Sequence, residues 1–177
     1  MIYFTADCHF GQERTLHLSK RPFADVCEMD KTMINNWNNT VSKNDDVYIL
    51  GDFGVYNYTK YLNGRLHLIK GNYERNEDHE YLKQYFDTVF LLNNITKMVS
   101  HNKRHYTVTM THEPLNLTDA ISPYEINLFG HVHKLCLVKK YGVNVGMDCH
   151  NFTPINMDTI LHYHNSIFNY YDGNVFN

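Results

Sequence analysis

Seven side chains in this sequence have the types and spacing to hold divalent cations: Asp7, His9, Asp52, Asn72, His112, His131 and His133. They are two carboxylates, four imidazoles and one amide, all nitrogen or oxygen donors with no thiolate. Such a set suits borderline or hard cations, with Mn²⁺ foremost and Fe, Zn²⁺ or Ni²⁺ as alternatives, and it disfavours a structural zinc or an iron–sulfur cluster. Two such ions ~3.5–4 Å apart form the clamp that stabilises the attacking and leaving oxygens of a phosphoryl displacement. Each piece alone has a plainer reading. Asp7-Cys8-His9 can be a polar strand end, Gly51-Asp52 an ordinary turn, and Gly71-Asn72 a turn of two residues tolerant of positive φ. Twelve histidines in 177 residues also make chance pairs common. The plainer readings leave the order unexplained, because each piece follows a short apolar run.

Those runs are the elements that must position the donors. Residues 2–6, 47–50, 66–69, 106–110 and 126–129 read as strands, and each ends in one of the polar loops. In open α/β sheets ligands bind beyond the carboxyl ends of the strands, so five such loops can converge on one place. Residues 89–95, 135–138 and 143–145 also read as strands. Val26, Met29, Met33, Ile34 and Trp37 recur at helical spacing after Asp25, which can cap that helix with Glu28 three residues on. The face Val26, Met29, Met33, Trp37 is expected to be core. Shorter helices are expected at 58–62 and 78–86, and Thr153-Pro154 reads as a helix start. The fold class is therefore α/β, as one domain over 1–177. The Asn- and Tyr-rich tail 161–177 has no assignment.

Composition removes several function classes. With 43% hydrophobic, 14% aromatic and 20% charged residues, the chain has the make-up of a globular protein. No apolar run approaches the ~18 residues of a membrane span, and the first ten residues lack the features of a secretory signal. Sixteen Lys and Arg against nineteen Asp and Glu give a net charge of −3, without the strong basic patch of a duplex-DNA binder. Cys8, Cys27, Cys136 and Cys149 form no CxxC pair and are expected to be reduced, buried and intracellular.

The loops DCHFG, GDFG, GNYE, THEP and GHVH, spanning residues 7 to 133, resemble the five ordered motifs of the calcineurin-like metallophosphoesterases. The segments around Arg21-Pro22-Phe23 and from Asn144 to Asp148 resemble a compact bacterial and phage branch of that superfamily. The resemblance implies a four-layer α/β/β/α sandwich with a dinuclear site at the strand ends. Carried over residue by residue, Asp7, His9, Asp52 and His133 hold one metal, while Asp52, Asn72, His112 and His131 hold the other. Asp52 bridges, and a metal-bridging hydroxide is the nucleophile. Asn72, Tyr73 and Arg21 are the candidate catalytic residues, Arg21 as a grip on the substrate phosphate. Tyr73 stands where many members have His. A phenol ordinarily titrates at ~10, so it cannot protonate a leaving group as an imidazole does. Glu74 is a candidate to orient a metal-ligand histidine.

The function implied is a phosphodiesterase acting on small nucleotides or nucleic-acid ends, cytoplasmic in a bacterial cell or a phage-infected host. The competing readings are a phosphomonoesterase or protein phosphatase, and a metal-binding scaffold without catalysis.

Overall fold

The computed structural model describes residues 1–116, 122–140 and 142–170. Two five-stranded mixed sheets form its frame. The first consists of β1 (Ile2–Thr5), β2 (Asp46–Leu50), β3 (Arg65–Ile69) and β4 (Thr88–Phe90), all parallel, with β10 (Ile155–Asn156) antiparallel on the free side of β1. The second contains β5 (Asn94–His101), β6 (Arg104–Thr111), β7 (Glu125–Phe129), β8 (Val138–Lys139) and β9 (Gly142–Asn144), in the order β5-β6-β7-β9-β8. Within it β6, β7 and β9 run parallel.

The first sheet is apolar on both faces because both are covered. Tyr3, Val47, Ile49, Leu66 and Leu68 point to one side, where they pack with Met29, Met33 and Trp37 of helix α2 (Val26–Thr40), following the short helix α1 (Glu13–Leu18). Phe4, Tyr48, Leu50 and Ile69 point to the other side and meet Tyr106, Val108, Met110, Ile126, Leu128 and Val143 of the second sheet. Each large apolar side chain buried in this way contributes ~1.5–3 kcal/mol. At the start of α2, Asp25 accepts from the Glu28 amide at 2.8 Å, as its sequence position suggests. Glu28 in turn accepts from the Ala24 amide at 2.6 Å. A cap of this kind is worth ~1 kcal/mol.

Other local expectations change. Residues 89–95 do not form one strand: the chain leaves β4, exposes Leu91 and Leu92, and enters the other sheet at Asn94. The expected strand 135–138 shrinks to the Val138–Lys139 pairing, and His133–Leu135 is a 3₁₀ turn. Asn144 Nδ2 donates to the carbonyls of His133 and Cys136, both at 2.7 Å, and the second of these is an acceptor that a ladder over 135–138 would need. No helix starts at Pro154, because Ile155 pairs with Phe4 in β10. Helix α4 (Met157–Tyr170) begins after it, with Asn156 Oδ1 accepting from the Thr159 amide at 3.1 Å. Thus the unassigned tail is helical through Tyr170, and residues 171–177 lie outside the described residues. The expected helix 78–86 is the single turn α3 (His79–Leu82), and the one expected at 58–62 is a 3₁₀ stretch at Tyr56–Tyr61, with Leu62 already extended.

The layers found are a helical one on the first sheet and the two sheets themselves. The further helical layer of the expected sandwich is not seen over β5 and β6 among the described residues: Thr96 and Met98 on that far face are exposed. Helix α4 instead adds Met157, Ile160 and Leu161 to the inter-sheet core. No described helix is long and apolar enough to cross a membrane. All four cysteines are free. Cys8 is buried as expected, whereas Cys27 is exposed and Cys136 and Cys149 are half-buried.

Candidate metal centre

The parallel strands of both sheets end at one edge. Register pairs Thr5 with Ile49 and Leu50 with Ile69, so the loops after β1, β2 and β3 leave side by side. In the second sheet Met110 pairs with Leu128, which aligns the loops after β6 and β7. The loops then bond to one another. The amides of Asp7 and His9 donate to the carbonyls of Gly51 and Asp52 at 3.1 and 3.0 Å, and the Gly130 amide donates to the His112 carbonyl at 2.9 Å. Bonds also cross between the sheets. The His131 amide donates to the Asp7 carboxylate at 2.8 Å, and His112 Nδ1 donates to the Leu50 carbonyl at 2.8 Å.

Backbone conformation marks the same residues. Asp7, His9, Asp52, His131 and His133 have φ of 53°, 52°, 56°, 69° and 48°, so five of the seven candidate ligands lie in the left-handed region. Non-glycine residues adopt that region at a cost of ~1–3 kcal/mol, and it persists only where the surroundings enforce it. The neighbouring glycines leave the space required. A Cβ on Gly51 would sit 2.4 Å from Gly71 Cα and 2.6 Å from His112 Nδ1, and one on Gly130 would sit 2.4 Å from Ala6 Cβ and 2.8 Å from Asp7 Oδ2.

Donor atoms of Asp7, His9 and His133, and of Asp7, Asp52 and His112, lie within 4.8 Å of one another in each group. Asp52 Oδ2 is 3.7 Å from His9 Nε2 and 3.5 Å from His112 Nε2, which places this carboxylate between the two implied ligand sets. Because His112 Nδ1 carries the proton given to Leu50, its Nε2 is a bare lone pair in the neutral ring. That lone pair faces Asn72 Oδ1 at 2.8 Å and His131 Nδ1 at 3.2 Å, and Asn72 Oδ1 also lies 3.2 Å from His131 Nδ1. His9 uses Nδ1 on Gln12 Oε1 at 2.7 Å and leaves a buried Nε2 without a hydrogen-bond partner. Acceptors aimed at one another and an orphaned buried imidazole nitrogen are what a cation would satisfy, so the residues present fit divalent ions.

The electrostatics agree. Burial pushes the Asp7 carboxyl up to about 7, against the pull of His133 and the His131 amide, and burial also raises Asp52. Burial lowers His9 to about 3 and lowers His112, so both rings are held neutral, the form that ligates. His133 differs: burial works against its charge, but the Asp148 hydrogen bond and the nearby Asp7 raise it.

Arg21 is not where a phosphate grip would be. Its guanidinium is buried and fully engaged: Nε and Nη2 donate to Asp148 at 3.0 and 2.8 Å, Nη1 donates to the Cys8 carbonyl at 2.9 Å, and Nη2 donates to the Asp7 carbonyl at 2.6 Å. It braces the first ligand loop from behind. Glu74 orients no histidine. Its carboxylate accepts from the amides of Asp52, Phe53 and Gly71 at 2.9, 2.9 and 3.0 Å and clamps two ligand loops together. Tyr73 stands at the rim, 44% exposed, with its ring edge-on to His9 at 5.1 Å and its amide donating to Asp52 Oδ1 at 3.1 Å. Cys8 is packed in the core.

Sequence reasoning missed Asp148 as an orienting residue. Its Oδ2 accepts from His133 Nδ1 at 2.8 Å, leaving Nε2 of that ring for a ligand. Burial opposes its ionisation, yet the bonds to His133 and Arg21 outweigh this and hold it low, at about 2. Gln12 and Asn144, which fix His9 and the His133 carbonyl, were missed as well. The signal for Asp148 was its place in a strand-ending loop after 143–145, the same position that marked the ligands.

No family model matches the chain. It is 30% identical, over an alignment of 180 positions, to the uncharacterized protein MJ1445 of Methanocaldococcus jannaschii, covering 90% of this chain and 89% of that one. The crystal structure of the protein of unknown function AQ665 from Aquifex aeolicus superposes with a TM-score of 0.69 at 25% identity, over 92% of this chain and 98% of that one, and has the same fold. Yfce, a phosphoesterase from E. coli, superposes with a TM-score of 0.40 at 17% identity, over 82% of this chain and 77% of that one.

Proposed function

We propose that this chain, which belongs to the family of the uncharacterized protein MJ1445 of Methanocaldococcus jannaschii, is a metal-dependent phosphoesterase of the calcineurin-like type. In this reading it is a single domain that cleaves phosphodiesters of small nucleotides or nucleic-acid ends. The observation that carries the reading is the meeting of Asp52, Asn72, His112 and His131 donor atoms around His112 Nε2, beside the orphaned Nε2 of His9. The five ordered loop motifs support it. Asp7, His9, Asp52 and His133 would hold one divalent ion, and Asp52, Asn72, His112 and His131 the other, with Mn²⁺ as the preferred metal. Once bound, such ions offset the charge on phosphoryl oxygens and bring the pKa of water toward neutrality.

The chain's own residues do the rest. Asp52 spans both ligand sets. Asp148 sets the ring orientation of His133, and Arg21 holds Asp148 and the carbonyls of Asp7 and Cys8. Tyr73, on the rim beside His9, can give a hydrogen bond to a phosphoryl oxygen or to the leaving group. A phenol is a weak proton source near neutrality, so activated esters should react better than alkyl monoesters. The free thiols fit a reducing compartment, and we assign the chain to the cytoplasm.

The test is hydrolysis of bis(4-nitrophenyl) phosphate by the purified chain with Mn²⁺, alongside metal analysis. Turnover should need up to two transition ions per chain, stop with a chelator and return with Mn²⁺. A folded chain that binds no transition metal overturns the reading.

A further inference from the structure

We infer that the tyrosine-lined cavity beside His9 is a nucleobase subsite, so that the ester cleaved carries a base that stacks there; this rests on the phosphoesterase reading and names the substrate side of the same site. The cavity has a volume of about 280 Å³ and is lined by Tyr56, Tyr73, Tyr81 and Tyr85 together with Gln12 and Glu77. Two of its walls belong to the metal centre. Gln12 holds His9 Nδ1 at 2.7 Å, and the Tyr73 ring lies 5.1 Å from the His9 ring. A group bonded to a phosphate at the metals would therefore enter this space directly.

Three features of the walls select the occupant. First, they are aromatic, and the rings are held in place. Tyr81 and Tyr85 meet edge to face at 5.4 Å, and Tyr56 lies 6.1 and 5.6 Å from them. Tyr73 and Tyr81 nonetheless remain 44% and 41% exposed, so ring surface is left for a guest. Every base has a π-face, which makes stacking on such rings favourable without sequence preference. Second, among the described residues Glu77 is the one charged wall, and no Lys or Arg lines the space. That arrangement repels a second phosphate and accepts a hydrogen bond from an exocyclic amine. Third, the volume is just below the ~300–1,000 Å³ of drug-sized sites, which suits one ring system. The geometry points to a nucleoside with an amino-bearing base rather than a polyphosphate, a sugar or a peptide.

The experiment is calorimetric titration of adenosine into the full chain in the presence of Mn²⁺, with ribose as control. Adenosine contains no phosphate, so its binding does not depend on turnover. It should bind saturably and ribose should not. Tyr81→Ala should weaken adenosine about tenfold, and Tyr81→Trp, which restores a stacking face, should recover most of that loss. Adenosine binding no better than ribose, or equally to both variants, overturns the subsite. If Mn²⁺-dependent diester hydrolysis is found while adenosine does not bind, the subsite fails alone. If adenosine binds as expected and no ester is cleaved, the phosphoesterase reading fails and the base site stands.

Discussion

Replacing Asp148 by Asn tests whether the residues behind the ligands govern the site. The Arg21 and Asp148 side chains are 0% and 2% exposed, so solvent does not screen their interaction. Removing one partner of a buried pair costs ~3–5 kcal/mol because the other charge is left uncompensated. Asn keeps the shape and one acceptor, which places the cost near ~3 kcal/mol. For a chain of this length ~1 kcal/mol corresponds to ~2–4 °C, so the ion-free variant should melt ~6–12 °C lower. The pH dependence carries a sign. The Asp148 carboxyl titrates at about 2 when folded and at ~3.9 when unfolded, so the folded state binds fewer protons between those values. Its stabilisation is therefore full above pH ~4 and is lost as the pH falls toward 2, and the gap between parent and variant should close over that window. Because Asp148 also orients His133, metal affinity by calorimetry should fall ~10–100-fold. Asp158→Asn, at an exposed pair with His101, is the control and should change stability by under ~1 kcal/mol. An Asp148→Asn protein that melts within 2 °C of the parent at neutral pH (about half of one kcal/mol) and binds metal equally well would refute this account of the support.

Three further outcomes are expected. Gly51→Ala puts a methyl at 2.4 Å from Gly71 Cα and at a φ of 81°, so it should cost ~2–4 kcal/mol by chemical denaturation and reduce metal content; an unperturbed variant would mean the two loops are not in such close approach. Asp52→Asn should lower occupancy at both metal positions, measured as ions per chain, whereas loss of a single ion would show that Asp52 does not span the two sets. Tyr73→Phe should keep metal content and reduce turnover modestly, and Tyr73→His should raise alkyl-ester relative to aryl-ester turnover; a constant ratio in Tyr, Phe and His proteins would show that this position does not face the leaving group.

The candidate ligands were singled out because each is tied to a local pattern. A short apolar run followed by a polar loop locates Asp7, Asp52, Asn72, His112 and His131 without any tertiary information, and the parallel registers then bring those loops to one edge. Helix α2 was legible for the same reason, since its cap and its apolar spacing lie within fifteen residues. What failed was whatever depended on a distant partner. The run 135–138 has the β-propensity of a strand, but the Asn144 side-chain amide takes one of its carbonyls, that of Cys136, away from pairing. Pro154 looks like a helix start, but pairing with β1 claims Ile155 first. Arg21 looked free because its partner Asp148 is 127 residues away in sequence.

The same division explains the chemistry of the site. Ligands must present donors outward, so their identities are fixed by the ion and their spacing by the strand ends. Here that presentation puts five of the candidates in left-handed backbone, a conformation uncommon for any residue but glycine. It is held from behind by groups that no metal would touch: Glu74 on three loop amides, Arg21 on two loop carbonyls, Asp148 on His133 and Gln12 on His9. Apart from Asp148, which follows a strand end, these residues share no spacing rule, since each is chosen by what it reaches in three dimensions. They also work through one another, because Arg21 bonds the backbone of Asp7 and the side chain that orients His133. A substitution behind the site should therefore disturb ligands from both sheets together, whereas one at the exposed Tyr73 rim should alter only what the site accepts.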